Sequence, residues 1–248
     1  MKFMDIQILS SENELGQVAS QAGASIIRSA ISENGIANII LATGTSQLAT
    51  LKYLVREKAV EWSKVVMFHL DEYVGISNKA PASFCKYIQD RFLSKLPPLH
   101  AAYLINGQAE TVGECRRLKK LIQKCPIDLA FVGIGENGHL AFNDPPANFV
   151  TKEPFLVVQL DEACRKQQLS EGWFSKFDEV PTQAISMSIH QIMLSKQIIC
   201  SVPQARKATA VFKCLFGGVS NLWPASILRE HQNCLCLLDN YSASLLAV

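Results

Sequence analysis

Apolar residues recur at helical spacing in some stretches of the chain and run together in others, and the two rhythms alternate almost to its end. Ser11 and Glu14 stand at capping-box spacing, and the helical pattern behind them continues to Asn34, where Gly35 suits a C-terminal cap. Residues 37–42 then read as a buried strand and 48–58 as a helix. Next come a strand at 65–70, a helix at 83–96 that stops before Pro97-Pro98, a helix at 109–124 and a strand at 127–132. Further strands are predicted at 155–160, 184–188, 197–202 and 234–238, with a helix at 204–215 between the last two.

Strands alternating with helices imply an α/β fold: a three-layer αβα sandwich around a largely parallel, Rossmann-like, doubly wound sheet. No repeat, low-complexity tract or long polar linker divides the chain, so one domain spanning residues 1–248 is the simpler expectation. Residues 161–181 are the exception. They are polar, carry Gly172-Trp173-Phe174, and are read as a candidate mobile flap.

Composition narrows the class further. With 248 residues, 48% hydrophobic and 19% charged, the chain can bury a sizeable core and does not read as disordered. A net charge of +2 predicts neither a nucleic-acid nor a membrane partner. No stretch approaches the roughly 18 consecutive apolar residues of a membrane helix. The start, Met1-Lys2-Phe3-Met4-Asp5, lacks the apolar run of a signal peptide. Eight cysteines without a C-x-x-C pair, several inside apolar runs, read as reduced and buried, which points to a cytoplasmic protein.

Parallel sheets carry their functional loops at the carboxyl ends of the strands. Three such loops are polar: Thr43-Gly44-Thr45-Ser46, Asp71-Glu72-Tyr73 and the stretch from Gly133 to His139. The first leads from strand into helix, where backbone N–H groups and hydroxyls can hold an anion, although Thr and Ser also serve as plain N-caps. It lacks the lysine of a P-loop. Asp71 emerges at the sheet edge, where partial burial can raise a carboxylate into general-base range; the bland alternative is a turn-capping acid.

Gly133-Ile134-Gly135-Glu136-Asn137-Gly138 matches G-x-G-x-x-G, but Asn143-Asp144-Pro145-Pro146 breaks the chain before a helix can follow. A dinucleotide site is therefore rejected. The glycines instead let the backbone turn sharply and present His139, with Asp144 close enough in sequence to orient an imidazole. Lys207 and Arg206 lie at the start of a late helix, where either could be a surface charge or face a ligand phosphate. Arg165, Lys166, Gln167 and Gln168 offer further donors in the flap, and His69, inside an apolar strand, reads as structural.

Together these stretches resemble the glucosamine-6-phosphate deaminase and 6-phosphogluconolactonase superfamily. The carrying residues are 42–46 (Ala-Thr-Gly-Thr-Ser), 68–75 (Phe-His-Leu-Asp-Glu-Tyr-Val-Gly), 133–145 and 203–208, and the order and spacing extend over nearly the whole chain. Leu70 to Tyr73 and Ala141 to Pro145 look like the deaminase branch; the lactonases typically continue Gly-His with Thr-Ala-Ser. The resemblance implies conversion of glucosamine 6-phosphate to fructose 6-phosphate and ammonia, with 6-phosphogluconolactone hydrolysis or sugar-phosphate sensing as alternatives. It implies that Asp71 moves the proton between C2 and C1, that His139 assists ring opening, and that Asn137 and Asp144 hold the histidine. Residues Thr43, Gly44, Thr45, Ser46, Gly138 and Lys207 would surround the sugar phosphate, with Arg165 as the flap's contribution. It implies no metal and no organic cofactor, and leaves room for a homo-oligomer. Asn137 departs from the family's usual aspartate, Asp144 from a common glutamate, and the first loop from Thr-Gly-Gly-Thr-Pro.

Overall fold

A computed structural model describes residues 4–246; Met1 to Phe3, read above for a leader, lie outside them. The chain begins with β1 (Asp5–Leu9), α1 (Glu12–Asn34), β2 (Ala37–Leu41), α2 (Leu48–Leu54), β3 (Val65–His69) and β4 (Asp71–Tyr73). There follow α3 (Phe84–Arg91), β5 (Ala101–Tyr103), α4 (Thr111–Ile122), β6 (Leu129–Val132), β7 (Phe155–Gln159) and α5 (Glu162–Ser170). The last part contains β8 (Gln183–Met187), α6 (Ile189–Met193), β9 (Gln197–Val202), α7 (Ala208–Phe216) and β10 (Cys234–Asp239).

Seven strands form one sheet in the order β1-β10-β9-β6-β2-β3-β5, and every pairing in it is parallel. Alternate residues of each central strand feed opposite cores. Ile40, Phe68, Ala130, Val132 and Cys200 pack with Leu118, Ile189 and Val211 of α4, α6 and α7. Ile39, Met67, Leu129, Phe131 and Ile199 pack with Leu15, Ile27, Leu51 and Ile88 of α1, α2 and α3. The fold is thus a doubly wound α/β sandwich. From β2 the chain steps outward to β3 and β5, then returns to β6 on the other side of β2. A crevice opens at the carboxyl ends of strands where the order reverses in this way.

Two strands expected in the parallel sheet lie elsewhere. β7 and β8 pair antiparallel, and β4 joins β8, making a separate three-stranded sheet. Pairing partners are set by contacts remote in sequence, so the apolar runs at 155–160 and 184–188 do not reveal them. β3 and β4 are separated only by Leu70, whose N–H reaches Leu41 in the large sheet and whose C=O accepts from Met187 in the small one. This junction turns Asp71 out of the main sheet at its carboxyl edge.

Helix starts follow the caps. Ser11 accepts from the Glu14 N–H and Gly35 closes α1 at φ 77°, while Asp161 caps α5 through the Cys164 N–H. The helices read at 48–58 and 83–96 end sooner, at Leu54 and Arg91. β1 escaped the strand reading because it is an edge strand, with Ile6 and Ile8 each 40% exposed. Within residues 161–181, α5 makes a regular helix that the polar composition conceals. All eight cysteines are free; six are buried as expected, whereas Cys115 and Cys125 are partly exposed. Among the described residues, no helix is long and apolar enough to cross a membrane.

Candidate active site

One cavity gathers the three polar loops. Thr43 to Ser46 after β2, Asp71 after β3, and Gly133, Ile134, Gly135 and His139 after β6 line it together with Lys207 after β9. Gln167, Gln168 and Glu171 of the 161–181 segment close one side, and Phe84 and Phe142 supply an apolar wall.

The two acids after β3 divide the alternatives between them. Glu72 accepts from Ser83 Oγ at 2.7 Å and from the Cys85, Tyr73 and Phe84 N–H groups at 2.8, 3.0 and 3.1 Å, so it is the capping acid at the start of α3. Burial pushes its carboxyl up, against the pull of those hydrogen bonds. Asp71 is 6% exposed and lines the cavity, and its buried Oδ1 has no hydrogen-bond partner among the described residues. Burial first, and the neighbouring Glu72 charge second, push its carboxyl up to about 8. A buried carboxyl oxygen without a partner is costly, and a reacting proton would supply one.

His139 stands opposite on the glycine turn. Its Nδ1 is 3.0 Å from Asp144 Oδ1, an ion-pair contact without hydrogen-bond geometry. The ring lies so close to Gly135 that a Cβ there would meet His139 Nε2 at 2.2 Å. Gly138 adopts φ 83°, and a side chain there would also press on Trp223 at 2.7 Å. Ala141, which lines the cavity, holds φ 55°, a sparsely populated region for a residue with a Cβ. No helix follows the glycine turn, which agrees with rejecting a dinucleotide fingerprint.

Asn137 lies behind this pair. Its Nδ2 donates to Asp144 Oδ1 and to Asp161 Oδ2, both at 3.0 Å, while its Oδ1 accepts from the His139 N–H at 3.0 Å. Asp144 also accepts from the Asp161 N–H at 3.0 Å. Burial alone would raise the Asp144 carboxyl; the imidazole, the Asn137 amide and the Asp161 N–H outweigh it and hold the group below its ordinary value. His139, Asp144 and Cys164 bring one ligand-type atom each within 4.8 Å of one another. Burial, with Asp144 and Asp161 nearby, pushes the Cys164 thiol well up.

Lys207, which also lines the cavity, is 3% exposed, and burial lowers its ammonium to about 8. Arg165 is placed elsewhere. Its guanidinium donates to the Val180 and Phe177 carbonyls at 2.9 and 3.1 Å and lies over the Phe177 ring, tying the 161–181 segment to itself. Arg206 is the arginine beside the first loop, with Nη2 2.8 Å from Thr45 Oγ1. Sequence reading missed Glu171. Asp161 and Glu162 are an N-terminal helix signal that would have revealed α5 and placed Glu171 just past its end.

A doubly wound α/β fold with a polar strand-to-helix loop, a buried acid and a histidine beside a carboxylate at its switch point defines a class of small-ligand proteins. The chain belongs to the glucosamine-6-phosphate isomerases/6-phosphogluconolactonase family, which it matches over residues 10–237. It is 34% identical to a glucosamine-6-phosphate deaminase of Oenococcus oeni, over 98% of this chain and 99% of that one. A Bacillus thuringiensis protein of the same name is 33% identical, over 98% and 89% of the two chains. Among solved structures, a monomeric glucosamine-6-phosphate deaminase superposes with a TM-score of 0.88 at 33% identity, covering 98% of this chain and all of the other. A 6-phosphogluconolactonase of Thermotoga maritima gives 0.78 at 14% identity, covering 95% and 99%, which is a likeness of fold.

Proposed function

We propose that the protein converts glucosamine 6-phosphate and water to fructose 6-phosphate and ammonia by aldose–ketose isomerisation. The observation that carries this reading is the unpartnered Asp71 carboxyl facing the same cavity as the His139–Asp144 pair. The curated relatives support the deaminase branch over the lactonase branch.

The reaction needs an anion grip, a proton carrier at the ring oxygen and a base beside C2. Thr43 to Ser46 and Lys207 hold the phosphate. His139, oriented by Asp144 and Asn137, passes a proton to the ring oxygen as the hemiacetal opens. Asp71 removes the C2 proton and delivers it to C1 while the C1 oxygen gains a proton and the amine loses one, which converts the amino-aldehyde to a C2 imine with a C1 hydroxyl. Water adds to that imine, the C–N bond breaks, and ammonia leaves as the ketone forms. With its carboxyl near 8, Asp71 populates both protonation states around neutrality, as a group that takes and returns one proton must. Proton transfers suffice for every step, so the reading calls for no cofactor. It includes a single domain with residues 161–181 as its flap, and a cytoplasmic location.

The experiment is ammonia and fructose 6-phosphate release from glucosamine 6-phosphate by the purified protein, with 6-phosphogluconolactone hydrolysis followed in parallel. Equal amounts of both products support the reading. Lactone hydrolysis alone, or binding without turnover, overturns it.

A further inference from the structure

The phosphate end of the cavity contains a carboxylate where an anion is to bind. Glu171, just beyond α5, lines the cavity with Gly44, Thr45 and Lys207. Its side chain is 3% exposed, and its Oε1 is 3.1 Å from Arg206 Nη2. Glu171 is locked from behind: Gln167 Nε2 donates to Oε1 at 2.9 Å and Trp173 Nε1 to Oε2 at 3.1 Å. Arg206, its side chain 29% exposed, does not line the cavity itself but touches two residues that do, Glu171 and Thr45.

Arg206 is also built in. Its Nε donates to Gln204 Oε1 at 2.9 Å and its Nη1 reaches Glu136 Oε1 at 3.2 Å. Gln204 holds φ 84°, one of two positive values at non-glycine residues among the described residues; the other is Ala141, in the cavity wall. Strain of this kind persists only where surrounding contacts enforce it. Here Gln204 donates its N–H to Asp239 at 3.0 Å and its amide to Glu12 at 3.3 Å.

The charges decide what this arrangement does. Arg206 and Lys207 are matched by Glu136 and Glu171, so the pocket as it stands offers a phosphate dianion no net positive charge. Removing Glu171 from the cavity leaves one net positive charge and frees an Arg206 Nη2 N–H beside the Thr45 hydroxyl, two donors for phosphate oxygens. Glu171 belongs to the 161–181 segment and Arg206 to the scaffold after β9, so movement of that segment separates the two.

We propose that Arg206 is the second cation for the substrate's phosphate, and that Glu171 occupies its guanidinium as an internal anion until the phosphate displaces it. This rests on the sugar-phosphate reading of the site and adds a residue pair to it. Phosphate affinity is then set by a competition within the protein. Ligands lacking the phosphate cannot open the pair, which makes it a determinant of specificity.

The test is calorimetric titration with inorganic phosphate and with glucosamine 6-phosphate, using unphosphorylated glucosamine as control. Glu171→Gln keeps the hydrogen-bonding shape but removes the charge, and should tighten phosphate binding about tenfold; a unit charge at roughly 6 Å and an effective dielectric of 20 carries at least that much. Adding Arg206→Met to Glu171→Gln should abolish the gain, while Arg206→Met alone should have a smaller effect than it has on top of Glu171→Gln. Thermal melts of all three variants establish that each is folded. Unchanged or weaker phosphate binding by Glu171→Gln overturns the proposal, as does a gain that survives loss of Arg206. Because inorganic phosphate binding is read without turnover, a failed deaminase assay with the expected titrations would remove the substrate assignment and leave the Arg206–Glu171 pair standing.

Discussion

Asn137 donates its side-chain amide to Asp144 at 3.0 Å, and the same nitrogen holds Asp161 at 3.0 Å. A single –NH2 group thus separates two carboxylates behind His139. The family resemblance leads one to expect aspartate at this position, and the structure gives a physical reason for asparagine: an acid here would be the third carboxylate in one partly buried cluster. Asn137→Asp should lower stability by about 1–3 kcal/mol through lost donors and like-charge repulsion. The loss should shrink as pH falls and the new acid protonates, and adding Asp161→Asn should restore part of it. Thermal melts from pH 5 to 8 check this; a variant as stable as the parent at pH 8 would contradict it.

Asp71→Asn should reduce turnover by at least about a thousandfold, since it removes the only base placed at the reacting carbon in the proposed mechanism. Binding of fructose 6-phosphate should remain within a few-fold of the parent. Lost binding with turnover intact would show that Asp71 serves the anion end of the cavity instead.

The same substitution should stabilise the protein. The Asp71 carboxyl, near 8 when folded, binds its proton more tightly than in the unfolded chain, so stability present at acid pH is lost as pH rises towards 8. Asparagine escapes that loss. A gain on the order of 2 kcal/mol, or roughly 4–8 °C in Tm, is expected at pH 8, and little gain at pH 4. Equal melting of the two proteins at both pH values would argue against the raised carboxyl.

Lys207 makes phosphate affinity pH-dependent. Burial lowers its ammonium to about 8, so the cation is present below that pH and disappears above it. The Kd for fructose 6-phosphate, which lacks the substrate's amine, should rise by about tenfold or more between pH 7 and 9.5. Lys207→Arg should flatten this dependence, because a guanidinium stays charged across the range. A flat profile in the parent would place the phosphate grip on other residues.

Gly135→Ala should displace the imidazole, because the new Cβ would lie 2.2 Å from His139 Nε2. We expect about a hundredfold loss of kcat with phosphate binding retained, consistent with a catalytic group moved by an ångström. Comparing kcat with the inorganic phosphate Kd separates this from general unfolding.

Local signals carried much of this protein. The capping pair at Ser11 and Glu14, the terminal Gly35 and the apolar runs at β2, β3, β6, β9 and β10 specified elements whose partners are close in sequence or whose burial is complete on both faces. The strand-end rule then singled out Thr43 to Ser46, Asp71 and the turn from Gly133 to His139; Thr43 to Ser46, Asp71, Gly133, Ile134, Gly135 and His139 line one cavity with Lys207, whereas Gly138 lies against Trp223 instead. The tertiary structure alone decided three things. It separated β7 and β8 into a second sheet, since strand pairing is chosen by distant contacts. It divided the two acids, giving Glu72 to the α3 N-terminus and leaving Asp71 free, because burial and hydrogen bonding differ between neighbours on opposite faces of a strand. It also sent Arg165 away from the cavity and brought Glu171 and Arg206 together, a pairing between distant parts of the chain that depends on how the 161–181 segment packs and that no local pattern encodes.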